Sequence, residues 1–305
     1  MGRTMAAEPE AEHRHGRFLV GLIGRGIGPS LSPPLHTAEA RALGFEYEYR
    51  LHDLDALGLP AESVGDVLDD LRAAGYSAVN ITYPCKQLVM AHLDEIDPDA
   101  ARLGAVNLVV IRDGRYIGYN TDWVGFRDGV MDGLSGRSVD DVVQYGGGGA
   151  GSASAYALLS SGTRHLTLVD IEPQRVEDLA ERLRGSFPDR RVETAGADAA
   201  AAFLAAADGA VNATPVGMAA HPGTPFDVAD LADTAWVADV VYFPIDTELL
   251  VAARARGLTT LDGGRMNVGQ AVAGMHLITG VRPDPRRMRA HFLELVEARA
   301  HSAAQ

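Results

Sequence analysis

One cysteine, Cys85, stands in a chain of 305 residues. A single thiol can neither close an intrachain disulfide nor supply a cysteine-cluster metal site, so the chain is expected in a reducing cytoplasm. The ten histidines offer no zinc helix: no two stand four apart around a glutamate, and no metal is expected. Basic side chains are in deficit as well. With 27 Lys and Arg against 41 Asp and Glu the formal net charge is -14, a field that repels nucleic acid and anionic membranes and leaves any anionic ligand in need of local help. No apolar run approaches the about 20 residues that span a bilayer. Residues 1–17 lack the apolar stretch of a signal peptide, and Ala6 stands where a myristoylation signal wants Ser or Thr, so they are expected to form a disordered tail.

What is present fits a globular α/β protein. With 47% hydrophobic and 22% charged residues the chain can bury a core, and a prior of about 150 residues per domain suggests two domains. Strand and helix alternate from the start. Residues 18–24 are an apolar run ending in Gly24, Pro33-Pro34 opens a helix that Gly44 closes, 47–51 reads as a strand, 64–74 as a helix closed by Gly75, and 77–82 as a strand running into Tyr83-Pro84. Leu88, Leu93 and Ile96 at helical spacing predict an amphipathic helix over 87–96, and Asp113-Gly114 predicts a hairpin between 105–111 and 116–119. A second unit opens near Asp122. There 141–145 reads as a strand, 146–151 as a glycine run, 152–161 as a helix and 166–170 as a strand, a βαβ unit. Further strands are expected at 210–213, 236–241 and 258–261, and long helices at 267–279 and 285–299. No strand follows those helices, so they are expected to fold back onto the first domain. The expected organisation is a substrate domain over 18–121 completed by 267–305, and a dinucleotide-binding domain over 122–266.

The glycine run, Gly146 to Gly151, lies between a strand and a helix, and Asp170 ends the next strand. Glycines permit a tight turn and close approach of a pyrophosphate to backbone, the helix N-terminus supplies N–H donors, and the acid can accept from a ribose hydroxyl. In Asn80-Ile81-Thr82-Tyr83-Pro84-Cys85-Lys86, Pro84 is expected as the first residue of a helix. That places Lys86 in its first turn, where the positive helix end disfavours a cation and tunes the amine for proton exchange with a hydroxyl. Cys85 beside it is expected to be packing. Asp122, in Asn120-Thr121-Asp122, suits either an N-cap or an acid-base partner. Asn107 suits a hydroxyl ligand or a turn. Ser30 and Ser32, two apart in an extended stretch before Pro33, can present both hydroxyls to a carboxylate, and Ser32 equally suits an N-cap.

Taken together, Ser30 to Pro33, Asn80 to Lys86, Gly104 to Asn107, Gly118 to Asp122, the glycine run, Asn212 to Met218 and Asp239 to Tyr242 resemble the shikimate dehydrogenase family, over about 19–295. The resemblance implies an N-terminal substrate domain, a Rossmann domain, and terminal helices returning to the first. It implies that Ser30 and Ser32 bind the substrate carboxylate, that Thr82, Asn107, Asp122 and Gln270 hold ring hydroxyls, with Tyr242 also in the substrate site, and that Lys86 accepts the proton with Asp122 as partner. For the cofactor it points to Gly146, Gly148, Gly149, Ala150, Gly151, Asp170 and Arg175, and to Asn212, Thr214, Pro215, Gly217, Met218, Val240 and Gly263.

The common NADP-binding members carry an Asn-Arg-Thr type segment where this chain has Asp170-Ile171-Glu172, and residues 221–224 and 244–248 look like the NAD-linked quinate/shikimate branch. That branch often has Thr at the second carboxylate position, whereas Ser32 matches the shikimate-type pair. The expected function is therefore NAD-dependent oxidation of shikimate and/or quinate, with NADP disfavoured, a small-molecule substrate, no nucleic-acid or membrane partner, and a monomer or homodimer as the working unit. Two alternatives stand beside it: a methylenetetrahydrofolate dehydrogenase-like enzyme, and a dinucleotide-sensing protein without turnover.

Overall fold

The computed structural model describes residues 16–303. The expected N-terminal tail lies outside them except for Gly16 and Arg17, and Arg17 already opens the first strand. Two sheets of six strands each organise the chain. The first holds β1 (Arg17–Gly24), β2 (Glu46–Asp53), β3 (Ala78–Ile81), β4 (Glu95–Ile96), β5 (Leu108–Arg112) and β6 (Arg115–Tyr119), in the order β2-β1-β3-β5-β6-β4. It is mixed: β1 runs parallel to β2 and β3, while β5 is antiparallel to both β3 and β6 through the expected hairpin, whose turn residue Asp113 takes a positive φ of 53°.

The second sheet holds β7 (Asp141–Tyr145), β8 (His165–Val169), β9 (Arg191–Ala195), β10 (Gly209–Asn212), β11 (Trp236–Asp239) and β12 (Thr259–Leu261), all parallel, in the order β12-β11-β10-β7-β8-β9. This is the doubly wound order, and the direction of winding reverses between β7 and β10. Ligands of such sheets sit beyond the carboxyl ends of the strands at that reversal.

The helices are α1 (Ser32–Ala42), α2 (Leu54–Leu57), α3 (Val64–Ala73), α4 (Pro98–Leu103), α5 (Asp122–Gly133), α6 (Gly149–Ser160), α7 (Pro173–Ser186), α8 (Ala200–Leu204), α9 (Glu248–Ala255), α10 (Gly264–Thr279) and α11 (Pro285–Ala303). The period of two decides which faces they cover. In β7, Val142 joins a core with Leu166, Leu168 and α5 to α7, whereas Val143 and Tyr145 point the other way, to Leu204, Leu249 and Leu250 of α8 and α9. The terminal helices return as expected: Val268, Ala271 and Met275 of α10 and Met288, Phe292 and Val296 of α11 share a core with Leu35 and Ala40 of α1. Among the described residues no helix is long and apolar enough to cross a membrane.

A close helix crossing helps fix how the two sheets meet. α10 crosses α5 on glycines: a Cβ on Gly125 would lie 2.4 Å from the Gln270 nitrogen, and one on Gly269 would lie 2.7 Å from the Gly125 Cα. Backbone therefore rests on backbone, which brings the start of α5 against the middle of α10.

Three local expectations need correction. The helix over 87–96 is absent: Leu88–His92 is a short 3-10 turn and Glu95–Ile96 is β4, paired with β6. Pairing to a neighbouring strand outweighs the helical spacing of three apolar residues. Pro84 does not start a helix. It lies in a turn over 83–87, after a cis peptide bond. The helix after the glycine run begins at Gly149, within the run itself, rather than at Ser152.

Candidate active site

The turn after β3 carries Lys86. Its neighbour Cys85 is fully buried in the core beneath it, and the Lys86 carbonyl accepts from Val106 N at 2.9 Å, so the backbone is held on both sides. Because the turn is not helical, Lys86 does not sit in the first turn of a helix of its own. Its neighbour is Asp122, the first residue of α5, with Lys86 Nζ 2.5 Å from Asp122 Oδ2 and the two side chains 24% and 14% exposed. The carboxylate is aimed rather than capping: Asn107 Nδ2 donates to Asp122 Oδ1 at 2.9 Å and to Thr121 Oγ1, and Asn107 Oδ1 accepts from Thr121 N. Asn107 thus spends both amide hydrogens within the chain, and its clearest task is to orient Asp122.

Lys86 and Asp122 open into a cavity of about 480 Å³. Ser30, Ser32, Thr82, Asn107, Tyr242 and Gln270 line the same cavity, so all the residues expected at the substrate and the proton come together there. The capping alternative for Ser32 does not hold. Ser32 already lies inside α1 without a cap bond, and its N–H donates to Ser30 Oγ at 3.2 Å. The loop that presents the pair is shaped by Asp53, whose carboxylate accepts from Gly26 N and Ile27 N. Such backbone bonds favour the ionised carboxylate, and the Asp53 pKa lies below the usual value despite the opposing desolvation.

Four lining residues with polar or charged side chains were not anticipated as ligands: Asn80, Asn267, Arg25 and Arg299. Asn80 was within reach of sequence reasoning, standing two before Thr82 on the same strand face. Its Nδ2 is buried near the Tyr49 hydroxyl without a hydrogen bond of good geometry among the described residues, a donor able to turn toward something that enters the cavity. The other three come from segments far apart in the chain, and only the return of α10 and α11 makes them neighbours.

The expected cofactor residues gather at the carboxyl edge of the second sheet. Gly146, with φ 100°, turns the chain out of β7, and a Cβ there would meet the Ala213 carbonyl at 2.5 Å. Gly151 must be bare for a related reason, since its Cβ would lie 2.2 Å from the Gly146 carbonyl, which Gln144 Nε2 also holds at 3.0 Å. Gly148 and Gly149 differ: both are exposed, nothing lies within 4 Å of a Cβ built there, and the α6 N-terminus has no side-chain cap. Unpaired N–H groups beside open space suit a pyrophosphate. Asp170, after β8, accepts from Gly147 N at 2.9 Å and Glu172 N at 3.0 Å, while Arg175 bridges Asp170 and Glu172 at 3.3 and 2.6 Å.

Asn212, the last residue of β10, is fully buried. It donates to Val216 O and to Asp239 Oδ1 and accepts from Thr214 N, which makes it the organiser of the loop bearing Pro215, Gly217 and the half-exposed Met218. Asp239, buried at the end of β11, accepts from Asn212, from Val241 N and from Thr247 Oγ1, yet desolvation outweighs these bonds and pushes its pKa up to about 6. Gly263 is required by packing, its Cβ position lying 2.2 Å from the Val240 carbonyl.

A doubly wound sheet with an open glycine turn, beside a polar cavity holding a lysine–carboxylate pair, defines a dinucleotide-dependent dehydrogenase. Comparison with known proteins is more particular. The family model of the shikimate dehydrogenase substrate binding domain matches residues 22–109. Shikimate dehydrogenase (NADP(+)) of Pseudarthrobacter chlorophenolicus is 56% identical over 281 residues, 92% of this chain and 96% of its own. Quinate/shikimate dehydrogenase (NAD(+)) of Corynebacterium efficiens is 46% identical over 282 residues, 92% of this chain and 99% of its own. The solved structure of quinate dehydrogenase from Corynebacterium glutamicum in complex with NAD superposes with a TM-score of 0.88 at 45% identity, covering 91% of this chain and 99% of that one. The chain belongs to the shikimate dehydrogenase family.

Proposed function

We propose that the protein catalyses the reversible NAD-linked oxidation of shikimate and/or quinate to the 3-dehydro ketone. The observation that carries this reading is the Lys86–Asp122 pair, 2.5 Å apart at the wall of a cavity otherwise lined largely by hydroxyl and amide groups. A sensor without turnover needs no such pair, and membership of the family removes the folate-linked alternative.

In this reading Ser30 and Ser32 receive the carboxylate, and Thr82, Asn80 and Gln270 hold the ring hydroxyls. Bound at the glycine turn, nicotinamide dinucleotide supplies the hydride acceptor. Lys86 takes the hydroxyl proton as the carbinol becomes a ketone, and Asp122 neutralises the ammonium that forms. Run backwards, the same ammonium returns the proton. Gly148, Gly149 and the α6 N-terminus would hold the pyrophosphate, and Asp170 the adenosine ribose.

The choice between the dinucleotides rests on Asp170 and Glu172, two acids where a 2'-phosphate would have to lie. The Pseudarthrobacter relative, named for NADP(+), makes the opposite choice a live second reading. Initial rates at the nicotinamide absorbance band, with shikimate and quinate each paired with NAD and NADP, test both. Turnover fastest with NAD supports the proposal, and silence with all four pairs overturns it.

A further inference from the structure

The chain carries a net charge of -14, yet its cavity does not share that sign. Its charged lining groups are Arg25, Lys86 and Arg299 against Asp122 alone, and Lys86 is already paired to Asp122 at 2.5 Å. Of the two guanidiniums, Arg299 is the uncompensated charge of the site. Arg299 comes from the far end of α11. Its Nη1 donates to the carbonyl of Pro29, the residue before Ser30, at 2.8 Å, and its guanidinium lies over the Phe243 ring, 4.4 Å from the centroid. Among the described residues no carboxylate pairs with it. Two contacts therefore hold a cation beside the serine loop and leave most of its N–H groups unspent. Arg25 is looser, held by one ion pair with Asp55 at 3.4 Å between exposed side chains, the kind that contributes little.

We infer that Arg299, assisted by Arg25, is an anion-recognition element that makes this site select ring substrates bearing a carboxylate over neutral polyols of the same shape. The inference rests on the reading of the cavity as the substrate site. Ser30 and Ser32 offer neutral hydroxyls, whose bonds are stronger to a carboxylate than to an ester; a full positive charge beside them widens that difference. A guanidinium without a carboxylate partner also offsets, at the cavity, the repulsion an anion meets on approaching a protein of net charge -14. The last turns of α11 thereby become part of the substrate site.

The test compares shikimate with its methyl ester, the dinucleotide saturating, in the full chain and in Arg299→Gln, Arg299→Lys and Arg25→Gln. Glutamine at 299 keeps a donor for Pro29 and loses the charge. We expect KM for shikimate to rise about tenfold in Arg299→Gln, the loss of one charge-assisted hydrogen bond, with kcat within twofold, and KM for the ester to stay within twofold. Arg299→Lys should recover most of the affinity. Raising ionic strength should lower kcat/KM for shikimate in the parent, and less so in either Gln variant. Arg25→Gln leaves the Pro29 contact intact and keeps the test open if Arg299→Gln melts early. Unchanged KM for shikimate in both Gln variants, or equal losses for acid and ester, overturns the inference while leaving the enzyme reading intact. Absence of turnover in the parent overturns the enzyme reading first.

Discussion

Replacing Asp170 or Glu172 tests the cofactor assignment most directly. The 2'-phosphate of NADP brings about -1.5 to -2 charges to a corner where Asp170, Glu172 and Arg175 sum to one negative charge. Arg175 is already committed to both acids, at 3.3 and 2.6 Å. Unit charges 4 Å apart interact by about 1 kcal/mol in water, so a doubly charged phosphate against this corner loses about 1 to 2 kcal/mol before screening. A tenfold preference for NAD in kcat/KM needs about 1.4 kcal/mol, and that is the expected value for the unmodified protein. Asp170→Asn removes the charge and also an acceptor that holds Gly147 N at 2.9 Å, so NAD use should fall while NADP use rises. Glu172→Gln is the cleaner perturbation: its side chain meets Arg175 alone, and its loss leaves that guanidinium shared between Asp170 and an incoming phosphate without disturbing the glycine turn. The ratio should then shrink to within about threefold, through better use of NADP. Steady-state rates with both dinucleotides at saturating shikimate measure it. Equal or better rates with NADP in the parent, or a ratio that ignores both substitutions, refutes the electrostatic argument.

Three further outcomes are expected. Lys86→Ala should lower kcat by about 10² or more with dinucleotide binding, read by calorimetry, nearly unchanged; a rate within a few-fold of the parent would make the lysine a bystander. Ser30→Ala with Ser32→Ala should raise KM for the acid by more than it lowers kcat, each lost bond to a carboxylate being worth about 1.5 to 3 kcal/mol, and unchanged KM with a lowered melting temperature would reduce the pair to its bond at the start of α1. The raised pKa of Asp239, about 6 against a model-peptide value of 3.8, means that the folded state favours its protonated form. Its stabilising contribution is full below the unfolded pKa and is lost as pH rises through about 6. Chemical denaturation should therefore show the parent losing up to roughly 2 kcal/mol relative to Asp239→Asn between pH 4 and pH 7, and a difference that stays constant with pH would contradict it.

The glycine run and the strand–helix alternation were legible because backbone geometry is written locally: only a bare residue tolerates the φ of Gly146, and strands announce themselves by a period of two. The residues expected at the substrate were legible as motifs, and they share one cavity. What sequence reasoning missed depends on long-range contact. Nothing near Arg299 signals that α11 ends beside Pro29. Nothing near Asn107 signals that its amide bonds Thr121 and Asp122. The helical spacing of Leu88, Leu93 and Ile96 was real but subordinate, because Glu95 and Ile96 find a strand partner in β6.

The crossing of α5 and α10 on Gly125 and Gly269 works as a gauge block for the reaction chamber. Asp122 rides at the head of one helix and Gln270 on the other, so the width available to a six-membered ring is set by two absent methyl groups. An alanine at 125 would bring its Cβ to 2.4 Å from the Gln270 nitrogen, where ordinary contact begins at 3.4 Å, and α10 would have to retreat by about an ångström. Because α11 packs on α10, the serine loop and Arg299 would feel the same displacement. Enlarging the chamber for bulkier rings is thus a matter of shimming the main chain, and trimming the side chains that line it leaves the separation of its walls untouched.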